Sequence, residues 1–308
     1  MAQRFNKIST NHFTRGFTLV ELMVAVTISA IVIVMAINIY FSAKQNYQKT
    51  KQGADQDIKA LVTKKIFYDA LINAGLSCKY GSKKQQYINK TAENQINANF
   101  IYNGSAIRIG KISEIIDLIQ DSLGDNKGFL YQHDTNYIMV KSEKSFTSLA
   151  STPINLSLPL ATSQQWHSGD YLALCNNDYV DIVKVASIDK NKRKVNLVVA
   201  PANEFDRGDY VGKFSIQIFY IAATHDPKDS QKIIYSLYMY NREGSANAVT
   251  YPLVDGVSDL NVSYALIDKD NLAWRDITTA TNLDDLKTKA LKISFKIDDK
   301  YFEKIILL

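Results

Sequence analysis

The sequence predicts an α+β protein: one long N-terminal helix, apolar in its first half and amphipathic in its second, packed on a mainly antiparallel β head. Three observations carry this expectation. Leu22 to Phe41 reads LMVAVTISAIVIVMAINIYF, twenty residues without a charge. Lys44 to Asn73 contains no proline and places apolar residues near helical spacing. From Tyr137 onward the apolar residues alternate instead, between clusters of Asp, Asn, Gly and Pro that read as turns.

The first sixteen residues form a polar leader with Arg4, Lys7 and Arg15 and no acid. The apolar run that follows would make a helix about 30 Å long, the thickness of a bilayer core. A secretory signal would have a shorter apolar core followed by a small-residue cleavage site. Here the cut falls before the apolar run, at Gly16/Phe17, and would leave the helix on the mature chain. Glu21 stands at the edge of that run, where an unpaired carboxylate is costly and therefore a functional candidate. A cut after Gly16 would free an amine on Phe17 with a solution pKa of about 8. That amine and Glu21 could neutralise each other between neighbouring subunits in an apolar core. The plainer reading is an acid favoured by the dipole at a helix N-terminus.

The helix should continue past the membrane, over roughly Thr18 to Ala74. Ile58, Leu61, Val62, Ile66, Tyr68, Leu71 and Ile72 form the stripe expected to hold a head. Gly53 interrupts it, and Gly75 follows as a C-terminal cap. Lys79 to Ala98 reads as an irregular polar excursion and Ile112 to Leu123 as a short helix. Strands are expected over Tyr137–Lys141, Tyr171–Cys175, Val180–Ile188, Val195–Val199, Phe214–Ala222, Lys232–Tyr240, Val262–Ile267, Ala290–Ile297 and Tyr301–Leu307.

Composition excludes several function classes. Of the formal charge of +5, the leader carries +3, leaving about +2, so no strongly basic nucleic-acid surface is expected. Cys78 and Cys175 either form one disulfide or stay as two buried thiols. No CxxC or Cys/His cluster suggests a metal, and no cofactor is expected. His133, His167 and His225 stand in turn-like contexts without a nucleophile elbow, and no catalytic residue is assigned. Asp268-Lys269-Asp270-Asn271 lacks the glycine and closing glutamate of a calcium loop and reads as a β-turn. The strand tyrosines Tyr220, Tyr235, Tyr238, Tyr240, Tyr251 and Tyr264 suit either half-buried packing or an aromatic recognition face.

Arg15-Gly16-Phe17-Thr18-Leu19-Val20-Glu21 and the apolar helix after it resemble the class III signal of type IV prepilins and type II secretion pseudopilins. The resemblance implies that a prepilin peptidase cuts after Gly16 and methylates Phe17, and that Glu21 recruits the subunit into the filament. K-type tip pseudopilins can lack that glutamate, so its presence argues against them. Weaker matches in the head resemble PilW-type minor pilins. They are Ala74-Gly75-Leu76-Ser77-Cys78, Ser168-Gly169-Asp170-Tyr171-Leu172, Tyr235-Ser236-Leu237-Tyr238 and Leu253-Val254-Asp255-Gly256-Val257-Ser258-Asp259-Leu260. J-type pseudopilins have related heads but shorter chains.

The resemblance implies a leader at 1–16, a transmembrane and filament-core helix at 17–43, its amphipathic continuation at 44–75 and a β-rich head at 76–308. The protein would sit in the inner membrane with a periplasmic head and then join a surface pilus. Its partners would be other minor pilins and the major pilin, through the N-terminal helix, together with the prepilin peptidase and the inner-membrane assembly platform. The leading expectation is a PilW-like minor pilin acting in pilus initiation at the tip. The alternatives are a J-like pseudopilin and a membrane-anchored periplasmic enzyme.

Overall fold

The structure is a computed structural model and describes residues 18–75, 86–92, 100–117, 131–189, 191, 193–226, 229–244, 248–268, 271–278, 281–282 and 288–308. The fold class is α+β, as the sequence predicts. Helix α1 runs unbroken from Leu19 to Ile72, straight through Gly53. The chain divides into two compact units, Met1–Asp55 and Gln56–Leu308.

In the first unit the side chains of the apolar part of α1 are exposed, Val24 at 52% and Ile39 at 69%. Ile31-Val32-Ile33-Val34 is a β-branched run, a weak helix former in water. In hydrocarbon the ranking matters less, because a helix satisfies every backbone group within the segment. The Thr27 hydroxyl obeys the same constraint and donates to the Met23 carbonyl at 2.7 Å. By length and composition this helix could cross a membrane.

In the second unit the helix buries Ala60, Thr63, Phe67 and Leu71. Phe67 lies 5.9 Å from Phe219 and 6.2 Å from Phe295, ring centre to ring centre. The expected apolar stripe is therefore split. Leu71 is buried, but Ile58 is 60% exposed and Leu61 70%. The small Ala60 and the short Thr63 are buried with Phe67 and Leu71, while bulkier neighbours face outward. At the C-terminus Gly75 adopts φ +64°, open to glycine without a Cβ penalty. Its N–H donates to the Lys141 carbonyl at 2.9 Å, which pins the helix end to a strand.

The strands, in chain order, are β1 (Tyr87–Lys90), β2 (Ile107–Lys111), β3 (Asn136–Ser148), β4 (Ser157–Pro159), β5 (Tyr171–Cys175), β6 (Val180–Asp189), β7 (Lys194–Leu197), β8 (Tyr210–Asp226), β9 (Asp229–Glu243), β10 (Val249–Asp255), β11 (Val257–Asp268), β12 (Asn271–Asp276), β13 (Thr281–Asn282), β14 (Thr288–Ile297) and β15 (Lys300–Leu307). Among the described residues the large sheet has eleven strands, with the path β13-β2-β3-β8-β5-β6-β7-β4. Strand β8 is its spine. One edge pairs with β3, while the other takes β5 at Tyr210–Lys213 and then β9 from Ser215 onward. Strand β10 extends this sheet beyond β9, and β1 lies parallel to β6. The small sheet is antiparallel, β12-β11-β14-β15.

All nine expected strands are present, several of them longer than predicted. Strands β1, β2, β4, β10, β12 and β13 were not expected. The expected helix from Ile112 opens as a 3-10 turn over Ile112–Glu114 and is helical at 116–117, and residues 118–130 lie outside the described set. Strand β5 is buried on both faces. Tyr171, Ala173 and Cys175 enter the main core, while Leu172 and Leu174 enter a second core with Trp166, Phe205 and Val211.

Candidate functional site: the N-terminal helix and its head

Gly16 and Phe17, the expected cleavage and methylation positions, lie outside the described residues. The structure places Glu21 in the first turn of α1, bound to Thr18. The Thr18 hydroxyl and backbone N–H each donate to Glu21 Oε2 at 3.0 Å, and the Glu21 N–H returns to Thr18 Oγ1 at 3.3 Å. This is a capping box, in which residues three apart satisfy each other's orphan donors. Sequence reading missed Thr18, although Thr-x-x-Glu before an apolar run is its written form. A carboxylate offers about four lone-pair sites, so the box leaves capacity for a further donor.

The head is fastened to the second half of the helix by polar contacts two to three turns before Phe67. Lys59 Nζ donates to the Asp255 carbonyl at 2.9 Å, and Gln56 Nε2 to Asp298 Oδ2 at 3.1 Å. Lys300 pairs with Asp57 at 2.8 Å in the open, an exposed pair of small worth. The head segment Leu253 to Leu260 turns out to be the junction between the two sheets. Gly256 sits at its bend with φ +80°, where a Cβ would stand 3.2 Å from Asp298 Oδ1. Asp259, next along, accepts from Lys296 at 2.7 Å and from Gln132 at 2.6 Å.

A buried polar cluster lies on the large sheet. Tyr87 donates its hydroxyl to Glu143 Oε1 at 2.9 Å. Burial, and then Glu143, hold the Tyr87 phenol well above its ordinary pKa. Lys141 is completely buried, stands 5.3 Å from the Tyr87 ring and donates to the Asn103 carbonyl. Burial, and then the Arg108 charge, push the Lys141 amine well below its ordinary pKa. Nothing in the alternating strand pattern marked Lys141 as an interior residue.

Of the expected turn histidines, His225 lies instead within strand β8, paired with Ile233. The His167 backbone N–H donates to Asp170 Oδ2 at 2.9 Å, the His167 ring is largely exposed, and Asp170 is held by Lys213 at 3.6 Å. Among the described residues no group of His, Cys, Asp and Glu could hold a metal ion. Of the strand tyrosines, Tyr220, Tyr238 and Tyr240 are buried, with Tyr220 stacked on Tyr238 at 6.0 Å, whereas Tyr235 and Tyr251 reach the surface. Cys175 is buried and disulfide-bonded, and Cys78 lies outside the described residues.

Residues 12–37 match the family model for the prokaryotic N-terminal methylation motif. No curated protein and no solved structure matches the chain. The motif supports a type IV pilin-like or pseudopilin role and implies assembly with other pilins and their machinery. It points to a structural protein rather than an enzyme. Together with the apolar helix, it fits a pilin anchored in a membrane.

Proposed function

We propose that this chain is the precursor of a PilW-type minor pilin that initiates assembly of a type IV pilus in the complex at its tip. The observation that carries the reading is the methylation motif at residues 12–37 running into an uncharged, fully exposed apolar helix. In water that surface would be a liability. In a bilayer, and then in a bundle of similar helices, it is buried. The prepilin peptidase cuts at Gly16/Phe17 and methylates Phe17. The head, then periplasmic, carries a bridge between Cys175 and Cys78, the chain's one other cysteine.

Glu21 meets the freed amine of a neighbouring subunit while Thr18 holds the carboxylate in place. A head as large as Gln56–Leu308 suits a single position at a tip better than a repeated shaft. Deleting the gene tests the reading. Loss of surface pili and of twitching motility is expected. Normal pili with lost protein secretion would instead place the chain in a type II pseudopilus, and no change in either would refute both assignments.

A further inference from the structure

Strand β15 is an open edge of the small sheet, and it lacks the devices that blunt edges elsewhere in the head. Proteins protect an exposed edge with proline, a bulge or a very short strand. Strand β10 has Pro252 at an irregularity, and β4 spans only three residues. Strand β15 pairs with β14 from Lys300 to Leu307 with no break in register. Ile297 and Lys300 flank a two-residue turn, so they form a hydrogen-bonded pair, and such pairs recur at every second residue. The Leu308 N–H, donating to the Lys289 carbonyl, keeps the same phase. The N–H and C=O groups of Tyr301, Glu303, Ile305 and Leu307 therefore point away from β14. Among the described residues they carry no hydrogen bond.

The side chains of these four residues share one face of the sheet. Tyr301, Ile305 and Leu307 are 67%, 49% and 73% exposed, and Glu303 takes part in no ion pair among the described residues. Helix α1 runs along the other face. Asp57, Leu61, Lys64 and Tyr68 fall on one side of it. Asp57 meets Lys300 at 2.8 Å, Lys64 stands 5.5 Å from the Phe302 ring centre, and Lys304 stands 5.6 Å from that of Tyr68. Leu61, on the same side, is left exposed where the sheet ends.

We propose that β15 is a docking edge that takes an extended segment of another protein as an added strand, with Lys or Arg opposite Glu303 and apolar residues opposite Tyr301, Ile305 and Leu307. The inference goes beyond the pilin reading and stands without it. Outward backbone groups repeating every second residue match an extended chain, whereas a helix has already spent its own. A second copy of β15 is a poor occupant. Antiparallel self-pairing centred on Glu303 or on Lys304 sets that charge against itself, and centring on Phe302 sets Lys300 against Lys304; like charges directly opposite are destabilising. A partner strand with a basic residue opposite Glu303 avoids this, and its residues on the other face would cover Leu61.

The test uses the full-length protein in detergent and a short synthetic peptide of alternating Val and Thr with one Lys, beside a copy with Glu in place of Lys. Bound Lys peptide should slow amide exchange at Tyr301, Glu303, Ile305 and Leu307 about tenfold or more, and leave Phe302, Lys304 and Ile306, already bonded to β14, unchanged. Uniform slowing, or none with peptide in large excess, would overturn the proposal. Ile305→Pro removes one outward donor at a position where an edge strand tolerates proline, and should abolish the effect, while Ile305→Thr keeps it. Equal binding by the Pro variant would overturn strand addition. Glu303→Lys should reverse the preference between the two peptides by about threefold; an unchanged preference would remove the charge match. Dimerisation of the protein alone that Ile305→Pro abolishes would give the edge to a second copy instead.

Discussion

Replacing Phe67 by alanine should cost the head about 3–5 kcal/mol, the range for a fully buried aromatic truncated in a core. Phe67 is completely buried, and it is the helix residue whose ring stands against both sheets, Phe219 of β8 and Phe295 of β14. Each ring pair is worth about 0.5–1.5 kcal/mol beyond its buried area, which pushes the loss toward the upper part of the range. For a unit of this size 1 kcal/mol moves Tm by roughly 2–4 °C, so the melting point should drop by roughly 6–20 °C. Leu61→Ala is the matched control. Leu61 belongs to the same stripe in the sequence but is 70% exposed, and its loss should stay within about 0.5 kcal/mol. The assay is near-UV circular dichroism of the full-length protein in detergent, followed on heating. A Phe67→Ala protein melting within 1 °C of wild type would refute this packing, as would a Leu61→Ala protein that loses as much as Phe67→Ala.

Three further predictions follow from the site and the buried cluster. Glu21→Gln keeps an acceptor for the Thr18 box but removes the charge. If recruitment is a charge pairing, it should fail to co-purify with partner pilins as completely as Glu21→Ala, although both still insert and are cleaved; wild-type recovery of the Gln variant would leave Glu21 with capping alone. Gly16→Val should block processing, visible as a slower-migrating band, and normal cleavage would count against Gly16 as the cut site. Stability should pass through an alkaline maximum. Lys141 is depressed in the fold, so the unfolded chain binds the extra proton and stability rises with pH up to the ordinary lysine pKa of about 10.4. Burial raises the Tyr131 phenol from 10.0 to about 12, so above pH 10 the unfolded chain loses its proton first and stability falls. Urea titrations of Lys141→Met should lose the rising limb and those of Tyr131→Phe should soften the falling one; unaltered profiles would contradict these environments.

The sequence made the elements legible more readily than their surroundings. The long helix, its glycine stop and nine strands all follow from local period and turn chemistry. Strand β10 escaped because Pro252 sits at an irregularity in its pairing, and proline within a run argues against a strand until the bulge is seen. Strand β1 lies in a polar stretch and exists through its pairing with β6, which no local pattern encodes. The buried face of α1 was misjudged for a related reason. Periodicity finds apolar positions, but here Phe67 faces a core and Leu61 does not, a choice that only tertiary packing makes. Lys141 shows the same limit, since it meets the Tyr87 ring and the Asn103 carbonyl, both distant from it in the sequence. At the N-terminus the methylation motif at residues 12–37 was legible because it is a linear pattern, and linear patterns are read without a fold.

The central claim is that the leader is removed at Gly16 and the remaining helix is kept. Intact-mass measurement of the protein from native membranes tests it directly. The account predicts the mass of Phe17 to Leu308 plus one methyl group, less two hydrogens for a Cys78–Cys175 bridge. A mass beginning at Met1 would contradict it and leave a membrane-anchored domain with an uncut N-terminus.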